Sequence, residues 1–265
     1  MGMGDEIMAT GIAKKIHAET GAKVAFGNPK GKLKRTIYPI IYANNPKIIK
    51  NGQELKDTKH VVWSDYCKGH RTYIANIETS KKERRYRWNY NFKAEPGEFF
   101  YSNFEKKKMA EKRIKEKYIV IEPHSKMGGA ADNKQWPLDR FQKVVNILSK
   151  EIKIFQPHYG KPKLKNTTPV VTNGLRMLSL FMKESAGFIC NEGGVHHAAS
   201  TVGTKGVVLF GGFIPPEITG YDFHTNLFTG GEACGSRYSC KHCKAAMEAI
   251  EVEEVVEHMR KIINV

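Results

Sequence analysis

From Tyr118 onward the chain alternates short apolar runs with amphipathic stretches of helical period, and this rhythm limits the possible folds more than any other feature. YIVIEP (118–123), IKIF (152–155), PVV (169–171), GFIC (187–190) and GVVLFGG (206–212) read as strands. LDRFQKVVNILSK (138–150), LRMLSLFMKES (175–185) and VHHAASTV (195–202) read as helices placed among them. Strands joined through helices by short connections build a parallel sheet covered on both faces. The final segment, EVEEVVEHMRKIINV, puts Val252, Val255, Val256, Met259, Ile262 and Ile263 on one face, which predicts a docking helix rather than a tail.

The first part of the chain opens in the same α/β manner. Ile7, Met8, Ile12, Ala13 and Ile16 form a helical stripe over 6–19, and KVAF (23–26) follows as a short strand. Residues 36–80 mix short apolar runs with turn formers, and 81–117 is polar and basic, a helix or loop leading into the next domain. A chain of 265 residues can bury one large core or two modest ones, and the change of rhythm divides it at 1–117 and 118–265. Charge divides at the same place. Of a net +16, residues 1–117 carry +13, with 26 Lys and Arg against 13 Asp and Glu. The first domain is therefore the half expected to meet a polyanion. Its basic clusters are NPKGKLKR (28–35), KKERRYRWNYNFK (81–93) and EKKKMAEKRIKEK (105–117); the last reads better as a solvated helix face than as a binding surface. No apolar run approaches the roughly 20 residues of a membrane span, and the first residues lack a leader pattern. The five cysteines are too few and too uneven for a disulfide framework, so a soluble cytoplasmic protein is expected.

One turn carries chemistry. NEGG (191–194) leaves the C-terminal end of the GFIC strand and enters the VHHAASTV helix, where ligands of open α/β sheets sit. Gly193 and Gly194 allow backbone to approach a ligand, and a helix start offers unpaired N–H groups, a setting that suits a diphosphate. His196 and His197 point about 100° apart on a helix, which argues against both holding one metal ion. A Gly-Gly pair that merely ends a strand remains the plainer alternative.

Four segments in order resemble the family 9 glycosyltransferases, the heptosyltransferase family: GDEIMATG (4–11), IEPHSKMGGAADNKQWP (121–137), CNEGGVHHAAS with TVGTKGVVLFGGFIPPE (190–217), and CKAAMEAIEVEEVVEHM (243–259). They look like the family's Gly-Asp opening, its Pro-Gly-Ser loop with Lys-x-Trp-Pro, its glycine turn with the following histidine, and its C-terminal ending. Residues 20–117 match poorly. Only Met1 to Met3 precede the Gly-Asp pair where the family has a strand, and Asn191 stands where it often has an acid.

The resemblance implies a GT-B-like α/β fold: two Rossmann-like domains with parallel sheets facing a cleft, the N-terminal one reduced. Residues 1–117 would bind the acceptor, 118–265 the nucleotide-sugar, and the C-terminal helix would dock back. It implies a metal-independent, inverting transfer with no cofactor beyond the nucleotide-sugar. Asp5 matches the catalytic acid and would act as general base; an N-terminal cap of the 6–19 helix is its other reading. Lys134, Ser125, Gly193 and Gly194 would hold the departing diphosphate, with Asn191 in the same turn. His196 would donate to phosphate or sugar. Glu192 would accept from a ribose or sugar hydroxyl, or cap the helix; Trp136 and His197 read as packing residues.

For the acceptor, ERRYRWNYNFK (83–93) interleaves Arg84, Arg85 and Arg87 with Tyr86, Trp88, Tyr90 and Phe92. That pattern suits phosphate neutralisation with base stacking, and equally a strand with one aromatic face in a core. A hydroxymethylated pyrimidine in DNA is favoured over the lipopolysaccharide core, and a non-catalytic nucleic-acid-binding protein on the same fold stays open. Cys234, Cys240 and Cys243, with His242 beside them, read C-x5-C-x2-C; this lacks the paired spacing of zinc sites, so plain thiols are favoured over structural zinc.

Overall fold

The computed structural model describes residues 2–27, 39–49, 58–62, 72–80, 83–124, 128–157, 163–229 and 231–264. Helix α1 (Met3–Thr20) leads to β1 (Lys23–Gly27), which pairs in parallel with β2 (Thr58–Val62). Strands β3 (Tyr73–Ser80) and β4 (Glu83–Trp88) form an antiparallel hairpin, and α2 (Asn103–Ala110) closes this portion. The basic run over 83–93 is thus a strand and its exit, the core-strand alternative for that run, within a stretch (81–117) expected as helix or loop. Each second side chain of β4 faces inward, which is what an alternating charged and aromatic run does on a pleated strand. The basic run 28–35 lies outside the described residues. The reduced first portion shows, among the described residues, two parallel strands where a full Rossmann-like sheet has more.

The second portion has the expected rhythm. Strands β5 (Tyr118–Glu122), β6 (Lys153–Pro157), β7 (Thr168–Val170), β8 (Gly187–Asn191), β9 (Gly206–Leu209) and β10 (Thr225–Leu227) form a parallel sheet in the order β10-β9-β8-β5-β6-β7. The intervening helices are α3 (Leu138–Leu148), α4 (Leu175–Lys183), α5 (Gly194–Ser200) and α6 (Pro216–Thr219). Helices α7 (Lys241–Glu248) and α8 (Val252–Ile263) end the chain. Along β5, Ile119 and Ile121 join one buried cluster and Tyr118 and Val120 the other, so the strand alternates between the two faces of a covered sheet. The first face buries α1 and α5; the second buries α3 and α8, with Val255, Met259 and Ile263 against Ile119 and Val207. Helix α8 therefore docks on its own sheet beside α3 instead of crossing back to the first portion, because its apolar stripe matches the β8–β9 surface. No described helix is long and apolar enough to cross a membrane.

The chain turns from β5 outward to β6 and β7, then crosses to β8 on the other side of β5. The exits of β5 and β8 therefore diverge, leaving a crevice at the C-terminal edge where the strand order reverses, the usual ligand position in such sheets. Helix α1 lies beside it, packed on α5 with Ile7, Ala9 and Ala13 fully buried. The 94–98 segment presses on α1 at Gly11, where a Cβ would lie 2.5 Å from the Glu95 carbonyl oxygen. Thr10 fixes the contact by accepting from the Glu98 N–H at 2.9 Å. Gly11→Ala is expected to destabilise the protein by up to about 2 kcal/mol, the balance of an overpacking cost of about 1–3 kcal/mol and a gain of about 1 kcal/mol in helix propensity. A lower urea midpoint at unchanged m would show it.

Candidate active site

Two loops meet at the crevice. After β5 the chain runs through Glu122, Pro123 and His124 and, past 125–127, into a 3-10 turn over Gly129–Lys134; after β8 it makes the turn Asn191–Gly194. Lys134 and Glu192, remote in sequence, form an ion pair through Nζ and Oε2. Glu192 is 3% exposed while the Lys134 side chain is 20% exposed, so the lysine is the more accessible partner of the pair. It also lies 4.9 Å from the Phe213 ring centroid, held between a carboxylate and an aromatic face. Burial pushes the Glu192 carboxyl up, but the Lys134 ammonium, His196 and the Thr219 hydroxyl together bring it below its ordinary value.

The two glycines do different jobs. At Gly193, φ is +156° and a Cβ would meet no atom within 4 Å, so the turn faces open space. Gly194 is a packing position: its Cβ would lie 3.0 Å from Leu175 Cδ1 and 3.7 Å from the Gly4 nitrogen. Gly4 answers from α1, where a Cβ would lie 2.8 Å from His197 Cδ2 and 3.5 Å from Gly194 Cα. The first turn of α1, which carries Asp5, thus abuts the 193–194 turn. Asp5 is the third residue of α1 and its Oδ2 accepts from the Gly2 N–H at 2.7 Å, so it takes part in capping while its side chain is only half-buried.

Asn191, 3% exposed, ties the two loops together: its Nδ2 donates to the Pro123 carbonyl at 3.1 Å and its Oδ1 accepts from the Trp136 N–H at 3.3 Å. His196 is fully buried and committed on both nitrogens. Its Nδ1 accepts from the Gly193 N–H at 2.9 Å, so Nε2 carries the proton and donates to the Thr219 carbonyl at 2.9 Å. This is a positioning arrangement for the turn, and the imidazole has no donor left for a phosphate. His197 shares a 2.7 Å hydrogen bond with the Tyr221 hydroxyl and sets Nε2 3.9 Å from Glu192. Burial drives both imidazoles below the usual histidine range, so they are neutral at pH 7. Donor atoms of Glu192, His196 and His197 lie within 4.8 Å of one another, but the cation this group already holds is the Lys134 ammonium. Ser125 lies outside the described residues. Trp136 is buried, donating through Nε1 to the Ile250 carbonyl at 3.1 Å.

Glu122 and His124 went unnoticed in the sequence. They sit at the β5 exit, joined by a 2.6 Å contact between Oε1 and Nδ1, and the only signal was their place in the loop ahead of Lys134. The hairpin meets the site at Phe213, the ring beside the Lys134 ammonium. Arg84 pairs with Glu78 at 2.7 Å and Arg85 with Glu83 at 3.0 Å, and Arg87 is exposed. Trp88 is 7% exposed and donates through Nε1 to the Phe213 carbonyl at 3.1 Å; its ring and that of Tyr86 pack edge-on to Phe213. Those two aromatic side chains belong to the core, because Phe213 and Tyr73 complete their packing. They are not a stacking platform for bases. The arginines remain outside.

No family model and no curated protein sequence matches this chain. Solved structures do. The glycosyl transferase family 9 structure from Veillonella parvula is 13% identical, with a TM-score of 0.65 over 100% of this chain and 95% of that one. The E. coli ADP-heptose lps heptosyltransferase II is 14% identical, with a TM-score of 0.47 over 63% of this chain and 54% of that one. The E. coli heptosyltransferase WaaC with ADP-2-deoxy-2-fluoro heptose is 11% identical, with a TM-score of 0.40 over 55% and 43%. The chain spans about half the length of these two E. coli enzymes. The likeness to the Veillonella parvula structure, which runs the whole length, shows that this chain has the GT-B-like α/β fold of that glycosyltransferase.

Proposed function

We propose that the protein is an inverting, metal-independent glycosyltransferase of the heptosyltransferase type that takes its sugar from a nucleotide-sugar. One observation carries the reading. At the β5–β8 crevice, Glu192 holds the ammonium of partly exposed Lys134 beside a glycine turn open to space, and the helix start bearing Asp5 abuts that turn. In the reaction, an acceptor hydroxyl attacks the anomeric carbon, the bond to the nucleoside diphosphate breaks with its electron pair, and Asp5 takes the hydroxyl proton. Lys134 meets the charge that develops on the leaving diphosphate, and the fixed pair needs no reorganisation at that moment. The donor is a nucleoside diphosphate sugar, in keeping with the ADP-heptose named for the E. coli structures.

For the acceptor we infer a phosphorylated glycan. The run that interleaves arginine with aromatic residues keeps Trp88 buried and Tyr86 half-buried, with Tyr90 as its exposed ring, which weakens the base-stacking reading that favoured DNA and leaves phosphate contacts by Arg84, Arg85 and Arg87. A mass-shift assay crossing nucleotide-sugars with deacylated lipopolysaccharide, hydroxymethylated DNA and plain DNA tests both halves. Mass gained only by DNA would reverse the acceptor; donor bound with no transfer to any of them would support a non-catalytic protein.

Asp5→Asn supplies the sharper test of mechanism. The amide keeps an acceptor for the Gly2 N–H and loses the base, so transfer should fall by about 10²–10⁴-fold. Stability should move by no more than about 1 kcal/mol, the scale of a cap. Turnover equal to that of the unmodified protein would remove Asp5 from the chemistry.

A further inference from the structure

Away from the crevice, a second group of side chains converges. The donor atoms of Cys234, Cys240, His242 and Cys243 all lie within 4.8 Å of one another. The Cys234 sulfur is 3.7 Å from that of Cys240 and 3.1 Å from that of Cys243, and the thiols are free. In a tetrahedral site with metal–sulfur bonds of about 2.3 Å, sulfur atoms stand about 3.8 Å apart. One edge already has that length, and a small opening of the other would admit the ion. Sequence spacing alone argued for plain thiols because paired cysteines were missing. The fold supplies what spacing lacked: Cys240 caps α7, which places His242 and Cys243 in its first turn, and the 234–236 turn returns Cys234 to them.

The sulfurs are also oriented by backbone donors. Cys234 Sγ accepts from the Ser236 N–H at 3.4 Å and Cys240 Sγ from the Cys243 N–H at 3.4 Å, the kind of outer support that fixes thiolate ligands. The loop they would staple has hydrogen bonds on every side. Cys234 and Gly235 donate to the Gly212 and Phe213 carbonyls at 3.0 and 3.1 Å; Tyr86 donates to Gly235 at 2.8 Å and Arg237 to Arg84 at 2.8 Å. Buried Asn133 donates to the Ser236 and Tyr238 carbonyls at 2.9 and 2.8 Å and accepts from the Cys240 N–H at 2.9 Å. Asn133 immediately precedes Lys134.

We propose that Cys234, Cys240, His242 and Cys243 close around one structural metal ion, and that this staple fixes the basic hairpin and, through Asn133, the loop that presents Lys134. Three thiolates and an imidazole suit zinc, with iron as the other cation such a donor set takes. All four positions are filled by protein, so the ion has an architectural part and takes none in sugar transfer. The reading is independent of the proposed activity.

The test is elemental analysis of the full-length chain, purified from cells grown with added zinc and, separately, added iron. About one equivalent of zinc or iron per chain is expected, as for a closed four-ligand site. Cobalt exchanged into the site should give thiolate charge-transfer absorption and the intense visible bands of four-coordinate cobalt. Cys240→Ser and Cys243→Ser should each lose at least nine-tenths of the metal, while Cys190→Ala, whose thiol lies in β8, keeps it. Should the serine variants fail to fold, stripping the unmodified protein with a chelator gives a second readout. Amide exchange should rise about tenfold over 233–240 and in the 129–136 loop, and stay unchanged in β6. Metal-free protein with freely titrating thiols, a chain two hydrogens lighter with Cys234 and Cys243 disulfide-linked, or metal retained by both serine variants would each overturn the proposal.

Discussion

Lys134→Ala is expected to lower turnover with a nucleotide-sugar by about 10²–10³-fold, the loss that follows removal of one donor to developing negative charge. It should also destabilise the fold. Glu192 is 3% exposed and would be left buried with no cation against it, forced to hold an unpaired charge or to take up a proton, and breaking a buried pair from one side costs about 3–5 kcal/mol. The two effects can be separated by removing both charges. Lys134→Met with Glu192→Gln leaves no uncompensated ion, so the urea midpoint should recover most of the loss, while turnover stays low because nothing meets the leaving diphosphate. Steady-state kinetics beside denaturation of the single and double variants measures both. If the double variant recovers turnover along with stability, Lys134 serves only to neutralise Glu192, and its catalytic part is withdrawn.

How far the sequence carried the structure follows from what determined each piece. The β5-to-β9 rhythm was legible because β5, β6, β8 and β9 are buried strands and the helices between them present apolar stripes, so burial wrote itself into local periodicity. Strand β10, three residues long, has too short a run to show a period. The hairpin was ambiguous for a different reason: alternation of Arg84, Tyr86 and Trp88 with charged neighbours looks the same whether the aromatic face meets a core or a partner. Only the tertiary neighbours Tyr73 and Phe213 decide it. In the site, the glycine turn and Lys134 were readable as segments, but their pairing depends on β8 crossing over to the far side of β5, which no local pattern encodes. The same holds for His196, whose donor capacity is taken up by the buried Thr219 carbonyl of α6.

Arg176→Ala should cost the fold about 3–5 kcal/mol, a large share of the roughly 5–15 kcal/mol typical of a folded domain. The guanidinium is 4% exposed and grips Glu105 with two nitrogens, Nε to Oε1 at 2.7 Å and Nη2 to Oε2 at 2.8 Å. Nη2 also donates to the Phe100 carbonyl at 2.8 Å, and the group lies 5.4 Å from the ring centroids of both Phe99 and Tyr101. One side chain on α4 therefore anchors α2 and the 99–101 segment to the second portion of the chain. The Arg176 hydrogen bonds hold the Glu105 carboxyl at about 2, against an ordinary value of 4.5. A depressed carboxylate contributes its stability in full above the ordinary value and loses it as pH falls toward the folded one. The gap in unfolding free energy between the unmodified protein and Arg176→Ala should accordingly be widest at neutral pH and shrink between pH 4.5 and about 2. Glu105→Gln should flatten that dependence, since the amide does not titrate. A gap that stays constant across this window would mean that Arg176 acts through packing against Phe99 and Tyr101 and not through the ion pair.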